Sequence, residues 1–259
     1  MFDRACFAPI ARRVRHRGWR LIAMAALLVA CQEVGLPAQP SPSPIGISLP
    51  GDLLGKGAPP TQQIATVGYL LVDQSGATLV DQLAFQPDGR LRPLAGGVAP
   101  IWLGAASDVA IKSDLRAAGA VRYAIVLVRG RMEGPGAYGA GGAYRYQIAA
   151  PTLEPIAMQE TTIAELLDQP ATAEGRFVRI VGGLLARETS ALLVDRLGPG
   201  GLPEPKARQV KLRAPLRDQE LLGRLAGPSG GAVRFGQVQI EGYWHGGTLA
   251  PLSITIVTS

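Results

Sequence analysis

One pattern of apolar and polar positions occurs twice along the chain. Residues 67–83 read VGYLLVDQSGATLVDQL and residues 181–197 read VGGLLARETSALLVDRL, with nine of the seventeen positions identical at an offset of 114. Two further blocks recur in the same order, 120–123 as 232–235 and 152–156 as 248–252. Three collinear matches indicate an internal duplication, so we predict two domains of one fold.

The repeated blocks have the composition of β-strands. In the second copy, apolar runs at 177–181 and 192–194 flank a polar turn at 187–190, which predicts a hairpin. A third strand is predicted over 209–213, where apolar and basic residues alternate. The blocks that begin at residues 120 and 152 in the first copy, and their repeats, supply the fourth and fifth strands.

Short helices are predicted between these strands and between the two copies. Apolar spacing predicts a helix over 215–225, with a counterpart near 111–118 in the first copy. Thr162 and Glu165 have the spacing of a capping box, which predicts a helix over Ile163–Asp168.

Three strands, a helix and two more strands resemble the OB-fold, a five-stranded Greek-key barrel. The segment EGRFVRIVGGLLARETSALLVD is similar to the first hairpin of OB domains related to nucleic-acid binders. The expected fold class is therefore all-β, with two tandem OB-like barrels, each with a short helix; a generic β-sandwich or an SH3-like barrel is the alternative. The resemblance implies a ligand site on the face of strands two and three, between the loops joining strands 1–2 and 4–5.

The predicted organisation has five parts. They are a signal peptide at 1–30, a Pro/Ser-rich extended linker at 31–63, an OB-like domain at 64–160 with a Tyr/Gly-rich insertion at 131–147, a linking helix at 161–170, and a second OB-like domain at 171–259.

The first thirty residues have the order of a secretory signal. They carry six Arg and one Asp, hence five of the six net positive charges of the chain. A basic stretch from Arg12 to Arg20 precedes ten apolar residues at 21–30 and then Cys31. The segment Leu28-Val29-Ala30-Cys31 resembles the lipobox of bacterial lipoproteins. That resemblance implies lipidation of Cys31, with acyl chains such as palmitate, and export to the cell envelope, anchored on the extracytoplasmic side of the membrane.

Cysteine and histidine counts exclude several kinds of chemistry. Of two cysteines, Cys6 leaves with the signal and Cys31 is the lipid site; of two histidines, only His245, in a predicted turn, lies beyond the signal. Cys/His zinc sites, two-His metal motifs and Cys–His nucleophile pairs are therefore excluded. We expect no metal, no cofactor and no enzymatic activity, with an envelope hydrolase that lacks histidine as an alternative.

A basic segment in the second copy is one candidate ligand site. Residues 205–217 contain five basic side chains and no acidic one. We predict that Arg208, Lys211 and Arg213 share one face of a strand and line a groove for an anionic polymer. The competing interpretation is an edge strand kept soluble by its cations.

The insertion of the first copy is the other candidate ligand site. Its segment 134–146, GPGAYGAGGAYRY, places Tyr138, Tyr144 and Tyr146 among glycines, in the connection between strands four and five. Tyrosine with glycine is typical of adaptable contact surfaces. A loop without a binding role is the alternative.

These features predict a non-enzymatic, lipid-anchored envelope protein whose OB-like domains present a binding surface. Its partners are the membrane, through the N-terminal lipid, and an anionic polymer or a protein. Binding of a polyanion or of single-stranded nucleic acid at the cell surface is the alternative; the basic segment favours it, but the segment contains no aromatic residue for base stacking.

Overall fold

The computed structural model describes residues 47–55, 62–94, 98–104, 115–227 and 232–257. The predicted signal peptide and Cys31 lie outside these ranges. In chain order the helices and strands are α1 (Pro50–Gly55), β1 (Gln62–Asp73), β2 (Gly76–Val80), β3 (Leu83–Phe85), β4 (Leu91–Pro93), β5 (Ile101–Gly104), β6 (Arg116–Ala118), β7 (Val121–Glu133), β8 (Tyr146–Pro155), β9 (Gln159–Thr161), α2 (Ile163–Asp168), α3 (Pro170–Ala173), β10 (Phe177–Ala186), β11 (Ala191–Val194), β12 (Gln209–Leu212), α4 (Gln219–Arg224), β13 (Arg234–His245) and β14 (Thr248–Ile256).

Each copy closes into a five-stranded barrel with the same strand order. Barrel 1 follows β1-β2-β5-β8-β7, and β7 pairs again with β1. Barrel 2 follows β10-β11-β12-β14-β13, and β13 pairs again with β10. In both barrels the third strand runs parallel to the fifth, and the other neighbours are antiparallel. The prediction of tandem OB-like barrels is therefore confirmed.

The helices follow the predictions in part. Helix α2 begins with the predicted capping box, and its Ile163 and Leu166 are buried in the core of barrel 2, so it packs as part of that barrel. Helix α4 lies between the third and fourth strands of barrel 2, within the predicted range. The prediction near 111–118 is wrong at its end, because Arg116–Ala118 forms β6, which pairs with β7; residues 111–114 lie outside the described residues.

The folded chain begins earlier than the composition predicts. Within the predicted linker, the backbone of Ser48 is hydrogen-bonded beside Thr66, and α1 follows. Leu49 is buried between the barrels, while Leu53 and Leu54 pack on the core of barrel 1. Three leucines in nine residues thus bury enough apolar surface to hold this segment against the barrel.

A glycine repeated in both copies allows the first two strands of each barrel to approach closely. A Cβ at Gly68 would lie 2.5 Å from the carbonyl oxygen of Val80, and one at Gly182 would lie 2.8 Å from that of Val194. Both carbonyls are backbone atoms, which cannot move aside as a flexible side chain does. There is therefore a steric reason why both copies have glycine at this position of the repeat.

The two barrels share an apolar interface. Barrel 1 contributes the outer faces of β1 and β7, and barrel 2 contributes residues near β13 and β14; the buried members include Val67, Tyr69, Ile125, Leu127, Phe177, Ala250 and Leu252. Strand β3, from the segment between β2 and β5 of the first copy, extends the sheet of barrel 2 by pairing in parallel with β14, and β9 pairs in parallel with β10. Shared sheet and shared core make the two barrels one compact unit.

A buried carboxylate lies within this interface. Glu241 is 3% exposed, and its oxygens accept hydrogen bonds from Arg116, from Arg179 and from the hydroxyl of Tyr69, at distances between 2.6 and 3.1 Å. The Tyr69 hydroxyl also lies 2.8 Å from Oγ of Ser253. Burial alone would raise the pKa of Glu241, but the hydrogen bonds from these partners outweigh it and lower the pKa to about 2. Since Tyr69 and Arg116 belong to barrel 1, the carboxylate joins the two barrels.

The interface uses different surfaces of the two copies. Ile125 and Leu127 are buried in it, whereas the equivalent positions of barrel 2 are Gln237, which is exposed, and Gln239, which is partly exposed. The packing is therefore head-to-tail, and barrel 2 carries polar residues where barrel 1 carries the apolar contact face.

Candidate functional site

The outer face of β2 and β5 in barrel 1 presents a tryptophan. Ile101 and Leu103 point into the core, so Trp102 points outward and is partly exposed. Its neighbours across the sheet are Thr78 on β2 and Gln147 on β8. This is the face on which OB barrels take their ligands.

The insertion of barrel 1 folds back over this face. Strand β7 ends at Glu133 and β8 begins at Tyr146, so the inserted loop spans 134–145. Tyr138 and Tyr144 exchange both backbone hydrogen bonds, at 2.8 and 3.1 Å, which closes the loop into a narrow hairpin. Its turn contains glycines with positive φ, including Gly139 at 72°.

Aromatic rings from the insertion and the barrel come together. The ring of Tyr144 stacks on Trp102 with centroids 5.1 Å apart and planes 26° from parallel, within the range of favourable aromatic pairs. Gly139 packs against both rings, where a Cβ would lie 2.6 Å from Tyr144. Trp102, Tyr138 and Tyr144 are all partly exposed, and we call these three residues the aromatic platform.

The third predicted tyrosine has a different place. Tyr146 packs against the core of barrel 1, and the guanidinium of Arg145 lies 5.8 Å from the centre of its ring. Of the three tyrosines singled out in the sequence, Tyr138 and Tyr144 are paired across the hairpin, Tyr144 stacks on Trp102, and Tyr146 packs against the core.

Polar side chains continue the row beside Trp102. Gln147 donates to Glu133 at 2.6 Å, and Arg131 forms an ion pair with the same carboxylate, also at 2.6 Å. Hydrogen bonds from Gln147 and then from Arg131 lower the pKa of Glu133, so the carboxylate is ionised at neutral pH. The row across the sheet therefore contains two uncharged polar residues, Thr78 and Gln147, on either side of the aromatic Trp102, and it ends at the acidic Glu133.

The structure does not place the three predicted cations of barrel 2 on one strand face. Lys211 and Arg213 are exposed and alternate with the buried Val210 and Leu212, as the alternation predicts. Arg208 precedes β12 and has the parity of the buried residues, so the prediction that all three cations share a strand face is wrong. Arg208 instead forms an ion pair with Asp168 at 2.7 Å, and Arg213 forms one with Asp52 at 3.1 Å.

Lys211 occupies in barrel 2 the position that Trp102 occupies in barrel 1. Trp102 pairs with Thr78 on the second strand of barrel 1, and Lys211 pairs with Leu192 at the equivalent place in barrel 2. The same face of the two barrels thus carries an aromatic ring in one copy and a cation in the other.

We expect replacement of Arg208, Lys211 and Arg213 by serine to leave the fold intact. All three side chains are exposed, and exposed ion pairs contribute little to stability. Thermal unfolding of the triple variant should give a Tm close to that of the wild type. A large fall in Tm would show that the contacts to Asp52 and Asp168 hold α1 and α2 in place.

His245 lies at the end of β13, next to the turn at Gly246 and Gly247, in agreement with the predicted turn. Its Nδ1 is 2.5 Å from the carboxylate of Glu174, and its side chain is exposed. Among the residues that the structure describes, no group of three or more His, Cys, Asp or Glu side chains is placed to hold a metal ion.

Comparison with known proteins gives no relative for this chain: no family model, no curated protein and no solved structure matches it.

Two elements of this picture had no clear signal in the sequence. Trp102 lies in a four-residue strand that follows Pro100 and ends at Gly104, too short for its alternation to be recognised. Glu241 is the single acidic residue of β13, and its partners are 62 to 172 positions away.

Proposed function

We propose that this protein is a lipid-anchored, non-enzymatic protein of the cell envelope that binds its ligand on the aromatic platform of barrel 1. One observation carries the assignment of the site: Tyr144 of the insertion stacks on Trp102 of β5, on the face where OB barrels take ligands. The anchor rests on the signal and lipobox-like segment of the sequence. In the described part of the chain, no helix has both the length and the apolar character to cross a bilayer.

The conformation of the insertion favours a binding role over that of a loop without a binding role. Its hairpin is closed by reciprocal backbone hydrogen bonds, and its glycines allow Tyr144 to lie flat on Trp102. Rings held in place lose little conformational freedom when a ligand arrives, so their apolar area contributes to affinity with a small entropic penalty.

The cation row supports the alternative, polyanion binding, less well. Arg208 and Arg213 are each paired with a carboxylate, so a polyanion would have to displace Asp168 and Asp52 to reach them. All three cations are exposed, and Lys211, at the centre of the face, is the one of the three without an ion pair among the described residues. A single cation contributes a small part of the charge neutralisation that polyanion binding requires.

Retention on solid polymers tests the site. The full chain in mild detergent is applied to cellulose, chitin, heparin and single-stranded DNA resins. We expect retention on at least one resin that Trp102→Ala and Tyr144→Ala each abolish and that Lys211→Ala leaves unchanged. Retention that depends on Lys211 and not on Trp102 contradicts the site, as does absence of retention on every resin.

The anchor is tested separately by metabolic labelling. Radioactive palmitate should be incorporated into the wild-type chain and not into Cys31→Ser, because the thiol is the acceptor of the first lipid. Accumulation of the unlabelled variant as the longer, uncleaved precursor would agree with the loss of lipidation. Equal labelling of both chains would contradict it.

A further inference from the structure

The side chains around the aromatic platform indicate the chemical class of its ligand. We propose that the platform binds a neutral oligosaccharide chain; this inference rests on the proposed function, which places the ligand site on barrel 1. A sugar ring has one face of C–H groups, which is apolar, and an edge of hydroxyl groups, which donate and accept hydrogen bonds. Recognition therefore needs a flat apolar surface with uncharged polar groups beside it.

The platform supplies the flat surface. Trp102 and Tyr144 stack with planes 26° from parallel, and Tyr138 lies in the same hairpin. Because the two rings stack, Tyr144 covers one face of Trp102, so the area open to a ligand is the outer face of Tyr144 and the uncovered part of Trp102. All three residues are partly exposed, so a ligand can contact them without displacing a buried side chain. Aromatic surface of this kind stabilises a bound apolar face through burial, and tyrosine hydroxyls add hydrogen-bonding groups at the rim.

The row across the sheet supplies the polar groups. Thr78 flanks Trp102 on one side and Gln147 on the other, so a hydroxyl and an amide lie next to the ring. These groups both donate and accept hydrogen bonds, as sugar hydroxyls require. The bond from Gln147 to Glu133 fixes the orientation of the amide before any ligand binds.

The charges around the ring disfavour a phosphate or sulfate polymer. The charged group that follows Gln147 along the row is the carboxylate of Glu133, and the nearby cation, Arg131, is paired with it. Arg145 of the insertion lies over the ring of Tyr146. An anionic chain on Trp102 would therefore approach an acidic group, whereas single-strand binders combine stacking with a continuous basic groove.

Titration in solution tests the ligand class. The full lipidated chain in detergent is titrated calorimetrically with hexamers of N-acetylglucosamine, of β-linked glucose and of α-linked glucose, and separately with heparin and oligo-deoxythymidine. We expect binding to at least one neutral hexamer, with an affinity that changes less than about twofold between low and high salt, because no counterions are released. Trp102→Ala and Tyr144→Ala should each weaken that binding by at least about tenfold.

Lys211→Ala is the matched control, since it removes the side chain at the equivalent position of the other barrel. It should leave the affinity unchanged, and equal Tm values for all variants show that a loss of affinity is not a loss of fold. Binding of heparin or DNA that falls in the Trp102 variant would keep the site and overturn the neutral ligand. Binding that falls only in the Lys211 variant would overturn the site as well. If none of the three neutral hexamers binds, a neutral oligosaccharide is not the ligand, whatever the outcome of the resin experiment on the site.

Discussion

Glu241→Gln should destabilise the folded chain by about 3 kcal/mol at neutral pH. The carboxylate is buried between the barrels and holds two arginines and a tyrosine hydroxyl, and its pKa is lowered to about 2. A shift from an unfolded value near 4.5 corresponds to about 3 kcal/mol of stability that depends on ionisation. The amide keeps the shape of the side chain but has no charge for Arg116 and Arg179. Breaking one partner of a buried pair has an effect of similar size.

The same substitution should change the pH dependence of unfolding. Because the folded-state pKa of Glu241 is depressed, its contribution is fully present above the unfolded pKa of about 4.5, and it is lost as the pH falls towards 2. Urea unfolding of the wild type and of Glu241→Gln should therefore differ most at neutral pH and converge between pH 4.5 and 2. Other carboxylates titrate in this range, but they are common to both chains and cancel in the difference.

Glu154→Gln is the control for this prediction. Glu154 forms an ion pair with Arg129 on the exposed surface of barrel 1, and its side chain is about half exposed. Its loss should change the free energy of unfolding by less than about 1 kcal/mol. If both substitutions have the same small effect, the carboxylate between the barrels does not join them, and the interface depends on its apolar contacts alone.

Gly68→Ala should destabilise barrel 1 by about 2 to 3 kcal/mol. The new methyl group would lie 2.5 Å from the carbonyl oxygen of Val80, well inside the ordinary contact distance, and β1 would have to move away from β2. Gly182→Ala meets the carbonyl of Val194 at 2.8 Å in barrel 2, so a similar but smaller effect is expected there. Equilibrium urea unfolding of each variant and of the wild type gives the free energies of unfolding to be compared.

Gly223→Ala provides the opposite expectation. Gly223 lies in α4, and a Cβ there has open space within 4 Å. Alanine in a helix is more stable than glycine by up to about 1 kcal/mol, so this variant should unfold at a higher urea concentration. If Gly68→Ala is as stable as the wild type, β1 and β2 have room to separate, and the repeated glycine has another origin.

The duplication allowed the fold to be predicted, because it gave two independent copies of each strand pattern. Positions such as Val67 and Val181 or Gly130 and Gly242 align the copies, and the helix at α2 had a local signal in Thr162 and Glu165. These elements can be predicted from short stretches of sequence because the strands and the helix cap depend on nearby residues.

The site and the interface depend on contacts between distant segments, which no local pattern records. Arg208 and Arg213 looked like a free basic row, but their carboxylate partners come from α2 and α1. Trp102 becomes part of a surface only because a loop more than thirty residues later folds onto it. Strand β3, of only three residues, has no strong strand signal of its own; it pairs with β14 of barrel 2 and with β4.

The head-to-tail arrangement of the barrels also determines how many copies can join. A two-fold pair would use the same surface on each copy and leave nothing for a third, whereas a head-to-tail pair leaves one surface of each kind at its two ends and can in principle grow into a filament. Here the end of barrel 2 presents Gln237 and Gln239 instead of Ile125 and Leu127, and the side chains of Arg129 and Arg131 at the other end are paired with acids. Chains held side by side by the proposed lipid anchor would meet each other at high local concentration, and these polar barrel ends would disfavour a growing chain of barrels.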